Sequence, residues 1–133
     1  MSRETRRLAQ KARRQRVHQA VTRAIEGLPP DVQAFLDNVA IIIEEEPSLA
    51  HREDAQLGPD DDLFGLYQGI PRTERSSAYS MVTPDRITIF AGPLERACSS
   101  RLEFEEQIRI TVLHEVGHHL GYDEAGLETL GLT

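Results

Sequence analysis

His114 and His118 stand four residues apart, with Glu115 beside the first, in the stretch Thr-Val-Leu-His-Glu-Val-Gly-His-His-Leu-Gly that runs from Thr111 to Gly121. On a helix, residues at i and i+4 share a face, so the two imidazoles are placed to hold one metal ion. Zinc suits two imidazoles, normally takes a third protein ligand, and leaves one position for water. Glu115 lies one step round the helix, where it can take a proton from that water without binding the metal. Bound zinc lowers the pKa of its water to about 7, so this set of residues implies hydrolysis at neutral pH.

A surface helix that carries incidental histidines is the competing reading of His-Glu-x-x-His. Two local features oppose it. The helix is otherwise apolar at Ile108, Val112, Leu113, Val116 and Leu120, so it should be largely buried. Burying His114, Glu115 and His118 without a metal or partners is expensive. Gly117 costs about 1 kcal/mol relative to alanine inside a helix. A close approach by metal, substrate or backbone accounts for it, as does packing. After the helix, Gly121 can turn the chain sharply, which brings the carboxylates of Asp123 and Glu124 back towards the histidines. Glu124 is taken as the third ligand. Asp123 is the alternative, or an acceptor that supports a ligand imidazole, and a capping or solvated carboxylate is the bland reading of Glu124. His119 is five residues after His114, about 140° round the helix, and suits a buried or supporting position rather than a ligand. His18 and His51 lie in polar stretches and read as surface histidines; Cys98 has no partner at zinc-type spacing.

These residues need a frame. From Leu102 to Leu120 only Gly117 interrupts a helical pattern, and Gly121 supplies the stop. Val39–Ile43 reads as a strand buried on both faces or nearly so, and Glu44-Glu45-Glu46 carries it to solvent. In Asp85–Phe90, Ile87 and Ile89 point one way and Thr88 and Phe90 the other. Both strands are expected in one sheet against the 102–120 helix. The second is expected to run along the cleft and pair with an extended peptide. Asp31 is a possible cap for a short helix carrying Val32, Phe35 and Leu36. Residues 50–62 read as a polar loop, and "LFGLYQGIPR" (63–72) as holding a short irregular strand over a turn. Tyr79 and Tyr122 are the candidates for an oxyanion donor.

Read as a whole, the motif is His-Glu-x-x-His-x-x-Gly-x-x-Glu, which resembles the metzincin pattern, where the last position is usually His and sometimes Asp. Four separated segments extend the likeness: "FLDNVAIIIEEEP", "LFGLYQGIPRTER", "PDRITIFAGPL" and "TVLHEVGHHLGYDE". In this order they resemble the minimal zincin-like metallopeptidases, a family of small bacterial proteins, over about residues 30–130. The resemblance implies an α/β (α+β) fold with a small mixed sheet packed on an active-site helix and no large C-terminal subdomain. It also implies a bound Zn2+, a peptide or protein substrate, His114, His118 and Glu124 as metal ligands, and Glu115 as the catalytic base. Members lack the methionine turn of metzincins, and no Met follows Met81 here.

Composition bounds the setting. The net charge of −7 divides into +6 over residues 1–26, with eight Arg or Lys, and −13 over the rest. Two regions are therefore expected: a basic arm over 1–26, disordered in part or helical and ordered from about Val17, and a zincin-like domain over 27–133. A basic arm on an acidic body suggests contact with nucleic acid or with the body itself. No aromatic residue precedes Phe35, so base stacking is disfavoured, and a solvated tail ranks above a nucleic-acid role. No apolar run reaches the ~18 residues of a membrane span, and no signal-peptide pattern opens the chain. With the single Cys98, this points to a cytoplasmic protein. The alternative to a peptidase is a non-catalytic zinc-binding interaction module whose arm makes the working contacts.

Overall fold

The computed structural model describes residues 2–58, 61–69 and 85–121. Helix α1 spans Arg3–Glu26, opened by Ser2, whose hydroxyl accepts from the Thr5 amide, and closed at Gly27. Residues 3–9 are all exposed, whereas Val17, Ala20, Val21 and Ala24 are buried. That i, i+3, i+4, i+7 spacing is the stripe a helix needs to dock on a core. The backbone is thus helical well before Val17, and packing is what begins there.

Helix α2 (Pro30–Phe35) follows, with Pro29 at its N-cap position, so Asp31 lies inside the first turn rather than capping it. Strand β1 (Val39–Glu44) leads to helix α3 (Leu49–Asp54). This helix occupies part of the segment expected to be loop. The signal was a capping box: the Ser48 hydroxyl accepts from the His51 amide, and the His51 ring bonds the Ser48 amide. His51 is accordingly not a plain surface residue. It is half-buried, and its ring stands edge-on to Phe90 with centroids 4.9 Å apart.

Strand β2 (Gly65–Gln68), strand β3 (Asp85–Phe90), helix α4 (Ala91–Ala97) and helix α5 (Arg101–His119) complete the described elements. The sheet has the order β1-β3-β2. β1 runs parallel to β3, with Ile41 opposite Ile87 and Ile43 opposite Ile89. β2 runs antiparallel to it, with Gly65 opposite Ile89 and Tyr67 opposite Ile87. The fold is therefore α+β with a small mixed sheet, as the resemblance implies.

Two expectations about the strands are corrected by this order. Among the described residues β1 is an edge strand, paired on one side only, and it is only half-buried. β3 is the centre, with Ile87, Thr88, Ile89 and Phe90 each at most 2% exposed. Both its edges are paired, so it offers no row of donors and acceptors to a peptide. Ile87 and Ile89 join Leu94, Phe104, Ile108, Val112 and Val116 and the buried stripe of α1 in one core. Ser100 caps α5 by accepting from the Glu103 amide, and Gly121 follows its end with φ +98°, the left-handed turn its position suggested. Among the described residues, no helix is long and apolar enough to cross a membrane.

Candidate metal centre

The last two turns of α5 carry the candidate ligands. The Nε2 atoms of His114 and His118 lie 3.1 Å apart, and the rings meet edge-on with centroids 4.7 Å apart. Two imidazole nitrogens at tetrahedral zinc distances are separated by ~3.3 Å, so the pair needs only a small adjustment to grip one ion. One ligand atom from each of His114, Glu115 and His118 can be chosen so that all lie within 4.8 Å of one another. Both histidines are half-buried and Glu115 is 8% exposed, so the group opens on a recess rather than on bulk solvent.

Strand β2 forms the opposite wall. Gly65 sits where a Cβ would stand 2.7 Å from the Thr111 methyl and 3.3 Å from Glu115 Cγ. Only a glycine lets the strand lie this close to α5. Two residues on, the Tyr67 amide donates to Glu115 Oε1 at 2.8 Å. Glu115 Oε2 is 3.9 Å from His114 Nε2. The carboxylate is thus anchored by one oxygen to the sheet and turns the other towards the histidines. A cavity of about 310 Å³ lies between the Ala55–Leu57 turn, β2, His114, Glu115 and His118. A second, of about 290 Å³, borders Phe64, Gly65, Thr111, His114 and Glu115. The two flank the same carboxylate, as a cleft crossing the helix requires.

Behind Glu115 lies a buried polar group that residue spacing did not reveal. Asp85 Oδ2 accepts from the Tyr67 hydroxyl at 2.6 Å and meets His119 Nδ1 at 2.9 Å. Asp85 is 1% exposed and His119 is 0% exposed. His119 occupies the buried, supporting position expected of it. Tyr67 and Asp85 were missed, because nothing local links the first residue of β3 to the last turn of a helix over thirty residues later. Glu124, Asp123, Tyr79 and Tyr122 lie outside the described residues. Cys98 stands apart from this site, at the end of α4. Partial burial, then the charge of Glu103, pushes its thiol pKa up.

The mixed sheet, the histidine pair on a buried helix and the acid between them are the features of a zincin. The chain belongs to the zincin-like metallopeptidase family, whose sequence profile matches residues 36–132. Membership implies a bound metal ion, typically zinc, and His114, Glu115 and His118 form a group that could hold one. No curated protein matches the chain. A solved structure similar to it is a conserved hypothetical protein from T. thermophilus, 21% identical, with a TM-score of 0.51 over 86% of this chain and 94% of that one. At that identity the likeness is one of fold.

Proposed function

We propose that the protein is a zinc-dependent peptidase in which Glu115 is the general base. The observation that carries this reading is the split role of the Glu115 carboxylate: Oε1 is bonded to the Tyr67 amide, and Oε2 faces the His114–His118 pair. A base held this way keeps its geometry without reorganising during the reaction. His114 and His118 would hold the ion, with Glu124 as third ligand. Zinc bound there supplies Lewis acidity and lowers the pKa of a coordinated water to about 7. Glu115 takes the proton of the attacking water and hands it to the departing amine. Among the described residues β2 pairs with β3 on one side only, and its other side borders the cleft. An extended peptide would therefore lie along β2, not along β3 as the strand patterns alone suggested.

The test is the Glu115→Gln variant beside the wild type, both loaded with zinc and assayed on a peptide library and on casein. Peptide cleavage is expected in the wild type and to fall by about 100-fold or more in the variant, within the range ascribed to acid–base catalysis, with zinc content unchanged. Equal behaviour of the two proteins on every substrate would instead favour the non-catalytic zinc module.

A further inference from the structure

Tyr67 is used at both ends. Its amide holds Glu115 Oε1 at 2.8 Å, and its hydroxyl reaches Asp85 Oδ2 at 2.6 Å. The same Asp85 oxygen takes His119 Nδ1 at 2.9 Å, on the helix that carries Glu115. The result is a closed circuit from α5 through β2 to β3 and back to α5. The Tyr67 and His119 rings also stack edge-on, with centroids 5.6 Å apart. Gly69, at φ +154°, closes the backbone over this carboxylate: a Cβ there would stand 3.0 Å from Asp85 Cβ and overlap the carboxylate itself.

A buried carboxylate that serves several polar groups is kept only where its partners are fixed, since each of them is costly to leave unsatisfied. Here the fixed partner is the side chain of the residue whose backbone bonds the candidate base. Rotating the Tyr67 peptide away from Glu115 would swing the phenol off Asp85. We infer that Asp85 is a positioning residue for Glu115, acting through Tyr67, and that the Tyr67 hydroxyl is the link. This rests on Glu115 being the general base, but the physical coupling between Asp85 and Glu115 can be measured without any hydrolysis.

The experiment uses the full chain labelled with nitrogen-15. The residue-67 amide proton, bonded to Glu115 Oε1, should move on Glu115→Gln. That displacement is then measured again in a Tyr67→Phe background, which removes one oxygen and keeps the ring against His119, and in Asp85→Asn. The displacement is expected to shrink by half or more in both backgrounds. An undiminished displacement in folded Tyr67→Phe overturns the inference, even if Asp85→Asn fails to fold. In the zinc-loaded protein, Tyr67→Phe is expected to lower kcat by roughly 10- to 100-fold, the range for partners behind a metal site, with KM and zinc content unchanged. A fall in zinc content with unchanged kcat per bound zinc would show that the circuit merely braces the helix end, and would also overturn it. If the wild type cleaves nothing, the peptidase reading fails, while the amide displacement still decides whether Asp85 positions Glu115.

Discussion

Gly65 and Thr111 touch so closely that the space between strand and helix has no room for a methyl group: a Cβ on Gly65 would stand 2.7 Å from Thr111 Cγ2. Gly65→Ala must therefore push β2 off α5 or displace a buried threonine. Overpacking of this kind costs about 1–3 kcal/mol, which urea denaturation would read as a lower midpoint with unchanged slope. Thr111→Ser removes the offending methyl, and Gly65→Ala combined with Thr111→Ser is expected to regain most of the loss. A Gly65→Ala protein as stable as the wild type would mean that the strand does not sit where we place it.

The His114–His118 pair makes a separate claim about metal. His118→Ala is expected to lose stoichiometric zinc and keep its helical circular dichroism, because His118 is half-buried and carries none of the apolar core. Zinc affinity should fall by more than the roughly 10- to 100-fold typical of supporting partners. Glu124→Gln should weaken zinc more than Asp123→Asn. The reverse order, read by competition with a chromogenic chelator, would move the third ligand to Asp123.

What the sequence could and could not say follows the range of the interactions. The i, i+4 histidines, the Gly121 stop and the strand at Asp85–Phe90 are local, and each is found where its pattern placed it. Sheet order is not local. The apolar run at Val39–Ile43 read as a strand buried on both faces or nearly so, yet among the described residues it is the edge, because burial of a strand depends on its neighbours. Tyr67 joins the candidate site through its backbone amide, a group that every residue except proline possesses and no motif can flag. Asp85 looked like the start of a strand. Among the described residues, its partners Tyr67 and His119 are 18 and 34 positions away.

Cys98 gives a prediction in pH. Partial burial, and then the charge of Glu103, raises its thiol pKa in the folded chain above the ordinary value of 9.0. The folded state thus favours the neutral thiol. Its contribution to stability is complete below the unfolded pKa and is lost as pH rises through the folded one. At pH 8 the native chain holds less thiolate than the unfolded chain, so iodoacetamide should label Cys98 more slowly in buffer than in urea. Equal rates, corrected for the effect of urea on a model thiol, would contradict this.

The last prediction concerns where the folding unit begins. Charge divides the chain into a basic arm over 1–26 and a zincin-like domain over 27–133, and the family profile itself matches only from residue 36. The helix α1 divides differently. Residues 3–9 touch nothing that buries them, Arg13 pairs with Glu45 and Glu95, and Val17, Ala20, Val21 and Ala24 enter the core. Removing residues 2–9 takes away Arg3, Arg6 and Arg7 and should shift stability by no more than about 0.5 kcal/mol, as surface changes do. Removing 1–26 strips two buried valines, each contributing about 1.5–3 kcal/mol, and uncovers the core beneath them. Against a total stability of about 5–15 kcal/mol, that loss is large enough to abolish a cooperative melt. Calorimetry on the two truncated chains separates the cases. If residues 27–133 melt cooperatively at the wild-type temperature, all of α1 is an appended arm and the division at residue 26 stands. If they do not, only the exposed basic turns are an arm, and α1 from Arg13 onward belongs to the body.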